Sequence, residues 1–132
     1  MYVEHALKTF LEDQPGLAAL IGEKLYYVTA PQDVQEPYVI LFKVSETLQQ
    51  SHDGNSHLAT ARIQFSIFAD TYLEVKQIAA QIKAALIGRT GFTGDSPGLY
   101  IYDILFDNET DMYESEVSVY HLVLEFLVTY QA

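Results

Sequence analysis

The stretch VSVYHLVLEFLVTY, residues 117–130, decides the fold. One alternating set in it reads Tyr120, Leu122, Leu124, Phe126, Val128, Tyr130, and the other reads Val117, Val119, His121, Val123, Glu125, Leu127. Successive strand residues point to opposite sides of a sheet, so a strand with one wet face alternates apolar and polar side chains. Here both sets are largely apolar, which places the segment between two layers. The remaining chain offers two short helices, too little to cover both sheet faces. A neighbouring subunit is therefore expected to supply the missing layer, with Val117, Val119, His121 and Val123 as the subunit-contact candidates.

Working outward from this strand, Leu99–Phe106 reads as its partner, and the acidic run Asp107–Glu114 reads as a solvated connection between the two. Upstream, Arg62–Phe68 alternates cleanly, and Thr71-x-x-Glu74 is a capping-box signature for a helix start. Val75, Ile78, Ala79, Ile82, Ala85 and Leu86 then form a buried helical stripe, with Lys76, Gln77, Gln81 and Lys83 outward and Gly88 after its end. Tyr38–Val44 is β-branched and aromatic, hence a strand, again apolar on both sides. Between it and Leu58 lies the polar stretch TLQQSHDGNSH with a turn at Asp53-Gly54, so Tyr38–Ser45 and Leu58–Asp70 are expected to form a long protruding β-hairpin. The tip is expected to be mobile or to order on a partner. At the start, Val3, Ala6, Leu7, Phe10 and Leu11 recur at helical spacing until Gln14-Pro15-Gly16 interrupts them. A further short turn ends at Gly22, and Leu25–Val28 is a small apolar run. The order predicts an α+β fold: a mainly antiparallel sheet with two principal helices packed on one face, in a single domain over residues 1–132.

The formal net charge is −11, from 18 acidic and 7 basic residues. Tight duplex binding works by neutralising phosphates with Lys and Arg, so this balance argues against gripping DNA. It suits a wall past which nucleic acid slides without sticking. With no cysteine in the chain, disulfides, thiolate metal sites and cysteine nucleophiles are excluded. The first residues lack the basic start and apolar run of a secretory signal, and no window approaches the roughly 20 apolar residues that cross a bilayer. Expression in the cytoplasm without membrane attachment is the expectation.

Motifs for chemistry are sparse. His52, Asp53 and His57 form the best metal-like cluster, but a five-residue separation in a loop fixes no ligand geometry, and no HExxH spacing exists. The string Asp107, Asn108, Glu109, Asp111, Glu114, Glu116 mimics a calcium loop, yet counting from Asp107 the sixth position holds Met112 instead of glycine and the twelfth Ser118 instead of glutamate. Gly88, Gly91 and Gly94 lack the Lys-Ser or Lys-Thr of a P-loop and lie between a helix and a strand, the wrong order for a phosphate cradle. No GxSxG elbow marks a triad. Neither cofactor nor metal nor catalytic residue is assigned. A small dimeric α/β-barrel enzyme or ligand-binding protein with a pocket near His121 is the alternative function, since such folds also hide a sheet face against a partner. Ten tyrosines are a positive feature, because tyrosine tolerates a wet interface rim, and Tyr26, Tyr27, Tyr38, Tyr100, Tyr102 and Tyr113 are candidates.

Leu17-Ala18-Ala19-Leu20-Ile21-Gly22, then Leu25-Tyr26, Ala30-Pro31 and Pro37-Tyr38-Val39-Ile40, resemble the tail-completion proteins of long, non-contractile-tailed bacteriophages. Arg62–Tyr72 with its alanine-rich helix, and Asp111-x-Tyr113 leading to Leu124-x-Phe126, are similar to the same family. The acidic Glu114-Ser115-Glu116 departs from its pattern. The resemblance implies a non-enzymatic virion protein that forms a ring, a hexamer, at the head-proximal end of the tail tube, ends the tail and joins it to the head. The implied partners are further copies of itself, the tail tube protein and the head-completion or connector protein, with DNA passing through unbound. Partner-interaction candidates are Gln49, Gln50, Ser51, His52, Asp53, Gly54, Asn55, Ser56 and His57 in the hairpin, and Asp107, Glu109, Asp111, Tyr113 and Glu114 in the acidic run.

Overall fold

The computed structural model describes residues 2–49, 58–93 and 99–131. Its elements run α1 (Val3–Glu12), α2 (Pro15–Ile21), β1 (Leu25–Tyr27), β2 (Tyr38–Gln49), β3 (Leu58–Ala69), α3 (Tyr72–Leu86), β4 (Gly91–Thr93), β5 (Leu99–Glu114) and β6 (Val119–Gln131). The strands form one six-stranded sheet in the order β1-β2-β3-β6-β5-β4. All neighbours pair antiparallel except β1 and β2, which run parallel. The α+β class and mainly antiparallel sheet follow the sequence reading, with a third helix, α2, beside the two principal ones.

Local signals account for the helices. Pro15 begins α2 at a position where a missing amide costs no helical bond, and Gly22, at φ +63°, turns the chain out of it. A Cβ at Gly16 would meet only the end of the exposed Gln81 side chain of α3, which is free to swing aside. Thr71 caps α3 by accepting a hydrogen bond from the Glu74 amide at 3.2 Å.

All three helices contribute to one core, on one side of the sheet. β3 supplies Ala59, Ala61, Ile63, Phe65, Ile67 and Ala69 to it, and β6 supplies Leu122, Leu124, Phe126, Val128 and Tyr130. Opposed to these are Val3, Leu7 and Leu11 of α1, Leu17 and Ile21 of α2, and Val75, Ile78, Ile82 and Leu86 of α3. The larger apolar set predicted for residues 117–130 is thus the helix-facing one.

One expectation is overturned. The acidic run is no connection: β5 continues through it to Glu114, paired with β6 from Asn108↔Glu125 to Glu114↔Val119. The turn is Ser115–Ser118 instead, with Ser118 at φ +55°. Acidic residues are poor strand formers in isolation. Here the period of two sends Glu109 and Asp111 to the helix side, where Lys76 and Lys83 of α3 meet them. Those lysines, read as outward-facing, complete the seam between helix and strand.

Candidate functional site

The sheet side away from the helices carries the second alternating sets. In register across it lie Tyr38, Phe68, His121 and Met112, one residue from each of β2, β3, β6 and β5. Three of the four stack: Tyr38 on Phe68 at 4.9 Å between centroids, and Phe68 on His121 at 4.2 Å. Offset stacking of this kind adds about 0.5–1.5 kcal/mol per pair beyond area burial. Ile40, Val119 and Val123 extend this apolar band, and the loop between β1 and β2 arches over one end of it. Val28 and Val34 of that loop, with Val117 of the β5–β6 turn, line a cavity of about 430 Å³ together with Tyr38, Phe68 and Val119. Burial pushes the Tyr38 hydroxyl above its ordinary pKa, helped by the charge of Glu36.

Further along the same face the residues turn polar. Gln64 donates to Ser66, Thr60 and Thr129 share a hydrogen bond at 3.1 Å, and Arg62 bridges Glu125 and Asp107. Asp107 reaches Arg62 because the strand bulges between Phe106 and Asn108. The face therefore divides into an apolar band at the turn end of the β5–β6 hairpin and a polar field at the other.

The predicted contact residues fall into distinct environments. Val119 and Val123 are buried on this open face, while Val117 is 67% exposed in the turn. His121 shares an Nδ1 hydrogen bond with Glu114 at 3.0 Å, and its Nε2 is buried without a partner among the described residues. Glu109 and Asp111 are committed within the chain. Glu109 accepts from Lys83 at 2.7 Å and Lys76 at 2.9 Å, and Asp111 accepts from Lys76 at 2.9 Å and from the Tyr72 hydroxyl at 2.7 Å. Both carboxyls are held below their ordinary values, Glu109 by Lys83 and then Lys76, Asp111 by Lys76 and then Tyr72. Tyr113 packs on Tyr120 yet stays 52% exposed. Gln49 ends β2 exposed, and Gln50, Ser51, His52, Asp53, Gly54, Asn55, Ser56 and His57 lie outside the described residues, as does the His52–Asp53–His57 cluster.

Phe68, Leu105 and Met112 were not singled out from sequence. For Phe68 a signal existed: its face of β3 reads Leu58, Thr60, Arg62, Gln64, Ser66, Phe68, and an aromatic ending a polar row marks a change of environment. On the helix side a second cavity, of about 600 Å³, opens where β1 stops, lined by Tyr2, Glu4, His5, Tyr27, Phe42 and Lys43. Burial raises the pKa of Tyr27 there.

No curated protein sequence matches the chain. Among solved structures, a chain from one described as "Virion of native gene transfer agent (GTA) particle" superposes with a TM-score of 0.79 at 20% identity, covering 98% of this chain and 95% of that one. At that identity the likeness concerns the fold. The sequence model of the family described as Tail completion protein gp17 matches residues 5–131. The protein belongs to this tail completion family, and it is a structural tail protein of phage-type virions.

Proposed function

We propose that the protein assembles as a ring, a hexamer, at the head-proximal end of a tail tube, ends the tail there and joins it to the head connector. The observation that carries this reading is the uneven cover of the sheet. One side is sealed by three helices, and the other has no helix over it: there the band Tyr38–Phe68–His121 is part-buried, Val119 and Val123 are buried, and Leu105, Met112 and Val117 beside them are exposed. Apolar sheet surface of this kind is stable against a neighbouring protein, and closed assemblies of identical subunits are the common solution. The net charge of −11 suits a ring through which DNA passes unbound. The tail tube protein and the head connector are the partners, and the role needs no catalytic activity. The end of the sheet where Gln49 pairs with Leu58, and the opposite end with the exposed Tyr113 and Glu114, give the ring two ends with which to touch tube and head.

The test is electron microscopy of particles made when the gene is disrupted and then supplied in trans. Filled heads beside unattached or overlong tails are expected, restored to whole virions by the intact protein and not by one lacking Gln49–Ser56. Normal infectious virions without the gene would overturn the joining role.

A further inference from the structure

We infer that neighbouring copies join edge to edge in a half-lap, with β1 of one copy completing the free edge of β5 in the next. The inference rests on the ring reading and names its subunit contact. Each outer edge of the sheet is only half covered. β1 pairs with β2 over Val39–Leu41 and then leaves, because Val28, at φ +62°, turns the chain away after one last bond to the Leu41 carbonyl. From Phe42 to Gln49, the outer edge of β2, away from β3, has no strand beside it among the described residues. On the far edge β4 covers Leu99–Ile101, and the Gly88 amide bonds the Ile104 carbonyl. From Leu105 to Glu114, β5 is likewise uncovered among the described residues.

The two half-covers are complementary. β1 lies at the end of the sheet where Ala69 pairs with Tyr120, and β4 lies at the end where Ala59 pairs with Tyr130. Because β2, β3, β6 and β5 alternate in direction, the two outer edges run oppositely, and β1 and β4 both run in the direction of β2. A second copy added in the same orientation brings its β1 antiparallel to the free half of β5. Its free β2 edge then comes beside β4. The two short strands share one strand position without colliding, since the rows of Phe42 to Thr47 separate them. Unpaired backbone amides and carbonyls on a long edge template such pairing.

Charge selects this arrangement over β5 pairing with itself. The free half of β5 carries Asp107, Glu109, Asp111 and Glu114 and no basic residue; Arg62, Lys76 and Lys83 partly neutralise the first three within the subunit, so self-pairing would set Glu114 and the residual charge of the others against their like. The opposing edge offers the uncharged Tyr26 and Tyr27 of β1, and Lys43 beyond them is already paired with Glu46. A head-to-tail contact also repeats around a ring, whereas a self-paired edge closes at two copies.

A chain without cysteine allows a clean cross-linking test. Tyr26 lies on the open face in register with Ile40, as Thr110 does with Val123, and Asn108 and Met112 lie one pleat either side. Tyr26→Cys is combined in turn with Asn108→Cys, Thr110→Cys and Met112→Cys, and each variant is supplied in trans to make virions. On mild oxidation, one double variant is expected to give a ladder of covalent multimers, while every single variant stays monomeric on non-reducing gels. Dimers from Asn108→Cys, Thr110→Cys or Met112→Cys alone would overturn the half-lap in favour of self-pairing. Monomers from all three double variants, with the protein present in the virions, would overturn the contact and leave the ring reading standing. Absence of the unsubstituted protein from finished virions would overturn both. Amide exchange on the unsubstituted protein gives a measure independent of the substitutions: protection of Leu105–Glu114 gained on assembly is expected, and unchanged exchange there would overturn the inference.

Discussion

Phe65 and Phe126 show how single positions set the core. Their rings meet edge to face at 5.7 Å, and both are fully buried between β3, β6 and the helices. Such a site collapses poorly when emptied, so Phe65→Ala is expected to lower the unfolding free energy by about 3–5 kcal/mol, measured by urea titration. Leu105→Ala is the contrast. At 54% exposure on the free part of β5, Leu105 is expected to contribute within about 0.5 kcal/mol to the isolated subunit. Equal losses at the two positions would contradict the burial described above.

Among the elements, the seam between α3 and β5 links stability to pH. Lys76 and Lys83 hold Glu109 below its ordinary 4.5 and Lys76 holds Asp111 below its ordinary 3.8. An unfolded chain therefore takes up protons that the folded chain refuses. The stabilisation from the seam is complete above the ordinary carboxylate values and is lost as pH falls through the lower folded ones. Glu46 adds to this in the same direction: burial opposes its ionisation, but hydrogen bonds from Tyr130 and Lys43 together keep it below its ordinary value. Glu109→Gln is expected to cost up to about 1 kcal/mol near neutral pH, because these groups are partly exposed, and to shrink the acid-induced fall in thermal midpoint relative to the unsubstituted protein. Parallel pH curves for the two proteins would remove the seam as the source. The seam also explains why the acidic run is a strand: ladder bonds to β6 and two facing lysines outweigh weak local propensity.

For the whole molecule the dominant number is the net charge of −11. Copies brought together in a ring repel one another, and salt screens charges separated by more than about 10 Å at 0.1 M ionic strength. Sedimentation of the free protein is therefore expected to shift toward larger species as sodium chloride rises, since the half-lap contact consists of backbone bonds and apolar side chains. Dissociation by salt would point to a contact held by ion pairs instead. The protein thus couples a sealed helix side, which sets stability, with an open side and two half-covered edges, on which the proposed association rests.

Much of this was legible in the order of residues. Periodicity alone separated Leu122, Leu124, Phe126 and Val128 from Val119, His121 and Val123, because a strand sends alternate side chains to opposite sides. The helix start at Thr71, the hairpin of β2 and β3 and the α+β class rest on equally local rules, whereas Pro15, read as part of an interruption, begins α2. What the tertiary structure decided is long-range. Whether Glu109 and Asp111 lie in a turn or a strand depends on lysines some 26 to 35 positions away, and the Tyr38–Phe68–His121 stack depends on register between three strands. The direction and reach of β1 and β4, and so the two half-free edges, also come from pairing between distant segments. Local sequence fixes the dihedral preferences and the alternation of faces, but which edges meet is set by the lowest free energy of the whole packed chain.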